Sequence, residues 1–191
     1  MTSNSKYVYA SSGDKSLMIY GLKEEAELQK GLSLYPLHNE FVKRESSAQK
    51  MIATESVLYI MGLDKIIQAV KADNITEVIG QTEKLEALGE SKGEAQCFAI
   101  CEARNELYIG DNKGFAHIYD LTSFTPKEEV PIKTHSKTAC LSICVSHDNT
   151  KFALGDANGY VTVCDMESRA QQCYIYGHKS KVYQCQFTED D

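Results

Sequence analysis

The sequence contains no tryptophan, and only 3 of its 191 residues are proline. No apolar run approaches the roughly 20 residues that a helix needs to cross a bilayer. The N-terminus lacks a basic segment followed by an apolar stretch, which would mark a secretion signal. No Gly-x-Gly or Gly-Lys-Thr pattern follows a strand and opens a helix, so nothing indicates a phosphate-binding loop. We therefore expect a soluble cytoplasmic protein without nucleotide chemistry.

Basic residues are outnumbered by acidic ones, with 20 Lys and Arg against 27 Asp and Glu and a formal net charge of −7. Nucleic acids and anionic membranes are both bound through basic surfaces, which displace counterions or meet negative headgroups. We therefore expect neither a nucleic acid nor a membrane as partner. A protein partner or a small polar ligand remains compatible with this charge.

Four stretches share one pattern, in which two runs of alternating apolar residues flank a turn with glycine and aspartate. A period of two is typical of half-buried strands, and such turn residues favour hairpins. The hairpins lie near residues 7–20, 57–70, 106–119 and 151–164. Their glycines, at 13, 62, 110 and 155, are 49, 48 and 45 residues apart, close to the roughly 40 to 45 residues of a propeller blade. The pattern predicts an all-β fold of about four β-propeller blades, each of four antiparallel strands.

Other apolar runs supply the remaining strands of each blade. Cys97–Cys101, Cys140–Cys144 and Val182–Phe187 hold equivalent places beside the hairpins and are predicted to be innermost strands. Glu128–Ile132 and Cys173–Tyr176 follow hairpins and are predicted to be outer strands. Sheets packed face to face about an axis would bury the apolar faces that one sheet alone leaves exposed.

These residues resemble a WD-repeat propeller, and more narrowly the second propeller of the actin-interacting protein one family, also described as stress-type actin-disassembly factors. The resemblance is most specific over 140–187, where Asp156-Ala157-Asn158 and Gly177-His178 match the family pattern. Further matching stretches are Glu94–Leu121, Leu58–Val70 and, more weakly, the region back to Tyr7. The Trp-Asp pair of the family is replaced by Tyr119-Asp120, Cys164-Asp165 and Tyr20-Gly21.

The resemblance implies a non-enzymatic protein-interaction propeller that binds actin filaments and promotes their disassembly together with cofilin. Such a protein would be found in the cytoplasm, on the cytoskeleton. The alternative is a WD-repeat scaffold or substrate receptor of another cytosolic complex. Neither reading requires a cofactor, and the sequence does not identify the residues that touch a partner.

The number of blades differs from the family plan, because family members have propellers of seven blades and this chain has about four. We expect residues 1–191 to be a fragment of a seven-bladed propeller, whose open blade edges would favour self-association. Alternatively, the strand near Val182 joins the hairpin at Tyr7 and closes a four-bladed ring.

The turn aspartates Asp14, Asp64, Asp111 and Asp156 are the main candidate site residues. They could coordinate a cation or bind a basic partner. An aspartate in a hairpin turn more often caps nearby backbone N–H groups, and we favour this structural role.

Histidines near the start of each repeat are the expected partners of the turn aspartates in this family type. The spacing allows a pair between His135 and Asp156, and a looser one between His38 and Asp64. Gly177 and His178 form the one intact Gly-His signature of the repeat. We expect all of these residues to be structural.

Seven cysteines, an odd number, suggest reduced thiols. Cys97, Cys101, Cys140 and Cys144 mimic two zinc-ligand pairs, but four residues of strand span about 13 Å, whereas two thiolates on one zinc lie within about 4 Å. His135, Cys140 and Asp156 have the residue types of a cysteine hydrolase. Cys140 lies in an apolar strand without a nucleophile turn, so we expect no metal site and no enzyme.

Overall fold

The computed structural model describes residues 1–21, 35–36, 42–43, 46–82, 93–127 and 132–188. Strands make up nearly all the regular secondary structure in these ranges. A short 3-10 turn lies at Glu102–Arg104. No helix in these ranges is long and apolar enough to cross a membrane. The predicted all-β class is confirmed. The chain forms two compact units, Met1–Gln81 and Thr82–Asp191.

The first unit contains two antiparallel sheets. Its strands are β1 (Thr2–Ser3), β2 (Tyr7–Ser11), β3 (Ser16–Gly21), β4 (Tyr35–Pro36), β5 (Val42–Lys43), β6 (Ala48–Ala53), β7 (Val57–Gly62), β8 (Ile67–Lys71) and β9 (Val78–Gln81). In the first sheet β2 pairs with β1 and β3, and β3 also pairs with β4 and β5. The second sheet has the order β6-β7-β8-β9.

The second unit repeats the four-stranded plan twice. Its strands are β10 (Ala95–Cys101), β11 (Glu106–Asp111), β12 (Phe115–Asp120), β13 (Ile132–Lys133), β14 (Cys140–Val145), β15 (Lys151–Asp156), β16 (Tyr160–Asp165) and β17 (Gln171–Tyr176). The third sheet has the order β10-β11-β12-β13, and the fourth has the order β14-β15-β16-β17. In these sheets strands adjacent in the sequence pair with each other, as predicted for blades.

Three of the four sheets carry the same irregularity in their innermost strand. A β-bulge sets two residues of one strand against one residue of its neighbour and bends the strand. The register shifts lie between Ala48 and Lys50, between Ala95 and Cys97, and between Cys140 and Ser142. Because the bulge lies at the same position in all three sheets, the sheets are copies of one structural unit.

The core of the first unit lies between its two sheets. Tyr9 is completely buried, and its hydroxyl donates to the carbonyl oxygen of Ala72 at 2.8 Å. Burial raises the pKa of Tyr9 to about 12. The other buried members of this cluster are Leu17, Ile19, Leu58, Ile60, Val70, Ala72 and Ile75. Each fully buried side chain of the size of leucine or isoleucine stabilises the fold by about 1.5 to 3 kcal/mol.

The core of the second unit lies between the third and fourth sheets. Tyr108 and Phe152 meet there with ring centroids 5.0 Å apart and a tilt of 42°, a separation at which two aromatic rings attract each other. The other buried members are Cys97, Ala99, Cys101, Ala116, Ile118, Cys140, Ile143, Leu154, Cys164 and Met166. The alternating residues of β11 and β15 therefore bury one face of each sheet in a shared interior.

Two of the predicted strands are not found over their full length among the described residues. Val182–Phe187 is predicted as an innermost strand, but residues 177–188 have no regular secondary structure. Of the predicted outer strand Glu128–Ile132, residues 128–131 lie outside the described residues, and only Ile132 belongs to β13.

Candidate protein-interaction site

The four hairpin turns have one geometry, which the strand registers reveal. In each hairpin the last register pair encloses five residues, namely 12–16, 62–66, 111–115 and 156–160. The enclosing pairs are Ser11 with Leu17, Met61 with Ile67, Gly110 with Ala116, and Gly155 with Val161. Residues at the same place in these turns are structural equivalents.

Asp111 and Asp156 hold the first position of their turns and are fully buried. One carboxylate oxygen of Asp111 accepts from the backbone N–H groups of Lys113 at 2.9 Å and Phe115 at 2.8 Å. Asp156 accepts in the same way from Asn158 and Tyr160, at 2.9 and 3.0 Å. Each carboxylate therefore caps its turn from inside the protein.

Asp14 and Asp64 hold the third position of their turns, whereas Asp111 and Asp156 hold the first. The four aspartates are therefore not structurally equivalent, although the sequence pattern groups them together. Asp14 accepts from the backbone N–H of Ser16 at 3.0 Å. Hydrogen bonds to Ser16 hold the pKa of Asp14 below its usual value. The glycines used to align the repeats are offset too, because Gly13 and Gly62 lie inside their turns while Gly110 and Gly155 precede theirs. The four aspartates thus form two classes, one buried and one near the surface.

Asp156 has a different partner from the one predicted. Its second carboxylate oxygen accepts from the hydroxyl of Ser136 at 2.7 Å, whereas the ring of His135 stacks on Tyr174 with centroids 3.7 Å apart. The predicted pair of His135 and Asp156 is therefore wrong by one residue, because the neighbouring Ser136 reaches the carboxylate of Asp156. The predicted partner of Asp64, His38, lies outside the described residues.

Asp111 lies beside a histidine that the sequence analysis missed. Nε2 of His117 in β12 is 3.0 Å from Oδ2 of Asp111, and both side chains are buried. The sequence did contain a signal for this site, since His117 is a polar residue at an inward-facing position of β12, between apolar neighbours. His117 follows the turn of its repeat, so a search for histidines before the turn could not find it.

Gly177 and His178 lie in an exposed loop that passes over the last hairpin turn. Gly159 in that turn has a φ of +94°, and a Cβ added there would collide with the carbonyl oxygen of His178. Gly114 has a φ of +87° and would meet the carbonyl oxygen of Thr138 at 2.6 Å. Glycine is required at both turns because the backbone is left-handed and the next loop passes too closely.

The segment after the last sheet packs like an innermost strand although it lacks strand hydrogen bonds. A Cβ added at Gly110 would lie 2.6 Å from the Sγ atom of Cys140, in the next sheet. A Cβ added at the equivalent Gly155 would lie 2.7 Å from Cγ1 of Val182. Val182 therefore covers the fourth sheet as Cys140 covers the third.

The two sheets of the second unit are also joined by a cluster of charged side chains around Glu106. Arg169 donates to the carboxylate of Glu106 through Nη2 and to the hydroxyl of Tyr108 through Nη1, the latter at 3.1 Å. Tyr108 also donates to Glu106. Lys127 and Arg104 lie 3.8 and 3.5 Å from the same carboxylate. Burial raises the pKa of Glu106, but these hydrogen bonds and positive charges more than offset it and leave the pKa below its usual value.

The fourth sheet carries an aromatic cluster, which we define as His135, Tyr160, Tyr174 and Tyr176. Tyr160 stacks on Tyr176 with centroids 4.5 Å apart, and His135 contacts both Tyr160 and Tyr174. Tyr174 and Tyr176 are nevertheless 51% and 60% exposed. Exposed tyrosines that neighbouring rings hold in place suit a protein-binding surface, because little side-chain entropy is lost on binding.

The strand that carries these tyrosines is an unprotected edge. All six residues of β17 are exposed, and its sequence, Gln-Gln-Cys-Tyr-Ile-Tyr, contains no charge and no proline. Edge strands are ordinarily protected from pairing by charges, proline or a short length. β17 therefore offers both backbone hydrogen-bonding groups and aromatic side chains to a partner.

Cysteine chemistry does not explain this surface. Cys140 is fully buried, and the neighbouring thiol of Cys97 together with burial raises its pKa, which opposes a nucleophilic role. Within the described ranges, no group of three or more His, Cys, Asp or Glu side chains could hold a metal ion. The residues of the cysteine-hydrolase alternative are not assembled, because His135 stacks on Tyr174 instead of facing Cys140 and Asp156.

Comparison with known proteins identifies the architecture. Two computationally designed propellers have the same fold in their crystal structures. The first, Ika8, matches 96% of this chain and 50% of its own at 14% identity and a TM-score of 0.71. The second, Ika4, matches 78% of this chain and 84% of its own at 15% identity and a TM-score of 0.61. The sheets are propeller blades.

A natural relative is found by sequence, while no family model matches. WD repeat-containing protein 1 of Xenopus tropicalis is 27% identical over 127 residues, which cover 61% of this chain and 20% of that protein. This chain therefore spans about a fifth of the length of that relative. The relative and the sheets together fit a WD-repeat propeller, a fold that typically serves as a non-catalytic scaffold for protein interactions.

Proposed function

We propose that this chain is a non-enzymatic interaction module that binds actin filaments and promotes their disassembly together with cofilin. The similarity to a WD repeat-containing protein supports the general role, and the match of 140–187 to the family pattern supports the specific one. On this proposal the protein works in the cytoplasm, on the cytoskeleton.

The observation that carries the proposal is the exposed aromatic cluster on the fourth sheet. A scaffold must present rigid side chains that a partner can bury, and tyrosines dominate the binding energy of many interfaces. Tyr174 and Tyr176 are exposed yet supported by His135 and Tyr160. The same sheet belongs to the half of the chain where the family resemblance is most specific.

Disassembly follows if the module binds a filament that cofilin has already altered more tightly than a bare filament. A ligand shifts a conformational equilibrium only by the difference between its affinities for the two states. Preferential binding would stabilise the altered filament or its severed ends. The blades themselves would not perform any chemical step, since a fold contributes function only through its sites.

A filament sedimentation assay tests the proposal. The chain is incubated with actin filaments, with and without cofilin, and actin and chain are measured in pellet and supernatant. We expect the chain to pellet with filaments only when cofilin is present, or more actin to appear in the supernatant with the chain than without it at the same cofilin concentration. If the chain neither pellets in a cofilin-dependent way nor changes the actin distribution at equal cofilin, the proposal is overturned.

The alternative, a scaffold or substrate receptor in another cytosolic complex, requires a different partner. A pull-down with the purified chain distinguishes the two. Recovery of actin and cofilin supports the filament role, whereas recovery of another defined assembly without actin supports the alternative.

A further inference from the structure

Two cysteines in the second unit lie close enough to react with each other. Cys144 belongs to β14, and Cys185 belongs to the segment that follows the last sheet. Their Sγ atoms are 3.4 Å apart, and the thiol of Cys144 donates to the sulfur of Cys185. Both side chains are only partly buried, so a small reagent can approach them.

The other cysteines provide a contrast within the same unit. Cys97 and Cys140 have Sγ atoms 3.9 Å apart, but both are buried with at most 2% exposed. Cys173 is exposed on β17. Since exchange requires access to a sulfur atom, proximity and access coincide at Cys144 and Cys185.

We propose that Cys144 and Cys185 form a reversible disulfide, with a low-molecular-weight disulfide of the glutathione type as oxidant. The bond would tie residues 177–188 to β14. This proposal does not depend on the proposed actin function, because it is based on the two cysteines alone and neither belongs to the aromatic cluster.

The exchange proceeds in two balanced steps. The thiolate of Cys185 attacks one sulfur of the small disulfide, whose S–S bond breaks and releases one thiolate. The sulfur of Cys144, after losing its proton, then attacks Sγ of Cys185 in the mixed disulfide and releases the second thiolate. The two protons from Cys144 and Cys185 end on the two small thiols, which carry the two electrons that the protein loses.

The direction of attack follows from the hydrogen bond. The interaction with Cys185, together with burial, raises the pKa of the Cys144 thiol, so Cys144 remains a protonated donor. Cys185 accepts that hydrogen bond, and its own thiol contacts the carbonyl oxygen of Ala153 at 3.7 Å. A sulfur that accepts a hydrogen bond is the better placed of the two to carry the charge of a thiolate, so in this proposal Cys185 begins the exchange and Cys144 resolves the intermediate.

Few hydrogen bonds attach the described part of this segment, residues 177–188, so a covalent bond would change its behaviour. The backbone N–H of Val182 donates to the backbone carbonyl oxygen of Asp156 at 2.9 Å, and the hydroxyl of Ser142 donates to the carbonyl oxygen of Val182 at 3.1 Å. The thiol of Cys185 contacts the carbonyl oxygen of Ala153 at 3.7 Å. Tyr183 is 73% exposed. Segments held by so few contacts open locally at little cost, and a disulfide to a core strand would suppress this opening.

Peptide mapping after oxidation tests the inference. The folded chain is incubated with oxidised glutathione, the remaining thiols are blocked, and tryptic peptides are identified by mass spectrometry. We expect a linked pair of peptides, 138–151 and 182–191, lighter by two hydrogen atoms than their sum. Fragmentation assigns the link to Cys144 rather than Cys140 within the first peptide.

Matched variants sharpen the test. The link should vanish in Cys144→Ser and in Cys185→Ser, and should persist in Cys97→Ser and Cys173→Ser. In the wild type, oxidation should slow tryptic cleavage after Lys181 roughly tenfold, because cleavage tracks the opened population. Glutathione adducts on Cys173 without the linked peptides, or a link that persists in Cys144→Ser, would overturn the proposal.

Discussion

The guanidinium of Arg169 lies against the buried carboxylate of Glu106, 63 positions earlier in the chain, and donates to it. Arg169 comes from the turn between β16 and β17, whereas Glu106 begins β11. One ion pair therefore joins two neighbouring sheets of the second unit. The same guanidinium holds the hydroxyl of Tyr108, which packs on Phe152. Polar and apolar contacts thus fix one arrangement of the two sheets.

Arg169→Met should destabilise the second unit by about 3 kcal/mol, because it leaves the Glu106 carboxylate buried without its main partner while Arg104 and Lys127 remain nearby. Arg169→Lys should cost less, since it keeps the charge but loses the two-pronged contact. Urea unfolding followed by circular dichroism measures both. Glu167→Gln, at an exposed carboxylate, is the control and should change little. Equal loss in all three variants would contradict this role for Arg169.

Glu106 should make stability depend on pH in one direction. Its pKa is below the usual value in the folded protein, so its contribution is fully present above the unfolded pKa of about 4.3. The contribution disappears as the pH falls through the lower folded pKa. The difference in unfolding free energy between wild type and Glu106→Gln should therefore be constant near neutral pH and shrink as the pH falls below about 5. A difference that stays constant or grows as the pH falls below about 5 would refute the assignment.

Asp156→Ala should destabilise the fourth sheet by about 2 kcal/mol, because it removes a buried carboxylate and leaves two partly buried backbone N–H groups and the Ser136 hydroxyl without their acceptor. Asp14→Ala removes a near-surface cap and should have a much smaller effect. Chemical denaturation of both variants gives the comparison. Similar losses would show that the two aspartates belong to one class after all.

Gly159→Ala should cost about 1 to 3 kcal/mol, because its φ of +94° is unfavourable for alanine and its Cβ would meet the carbonyl of His178. A Cβ at Gly177 has nothing within 4 Å, so Gly177→Ala serves as the control. Thermal unfolding midpoints suffice for this test. A larger effect at Gly177 than at Gly159 would be incompatible with the described loop path.

Much of the blade plan could be predicted from the sequence because it depends on local patterns. Alternation in Lys151–Asp156 and Tyr160–Asp165 sets which residues face the core, and the five-residue turn between them fixes their register. The aromatic cluster was also visible in principle. Tyr174 and Tyr176 alternate along β17, and Tyr160 pairs with Tyr176.

The predictions that were wrong concern features that depend on the backbone path of turns and loops. Glycine and aspartate are favourable at several positions of a turn, so aligning Gly62 with Gly110 shifted the repeat by one residue. Ser136 rather than His135 reaches Asp156 because of how the preceding loop runs. The contact of Arg169 with Glu106 involves neither repeat motif and joins residues far apart in sequence, so no local pattern could reveal it.

In the proposed function, the aromatic cluster is the surface that a cofilin-decorated filament buries. Its most direct test is the affinity of the chain for cofilin-decorated actin filaments, measured by cosedimentation over a range of filament concentrations. The double variant Tyr174→Ala and Tyr176→Ala should bind at least about tenfold more weakly than the wild type. Tyr183→Ala, at an exposed tyrosine outside the cluster, should bind like the wild type. Equal affinity of the double variant and the wild type would contradict the account.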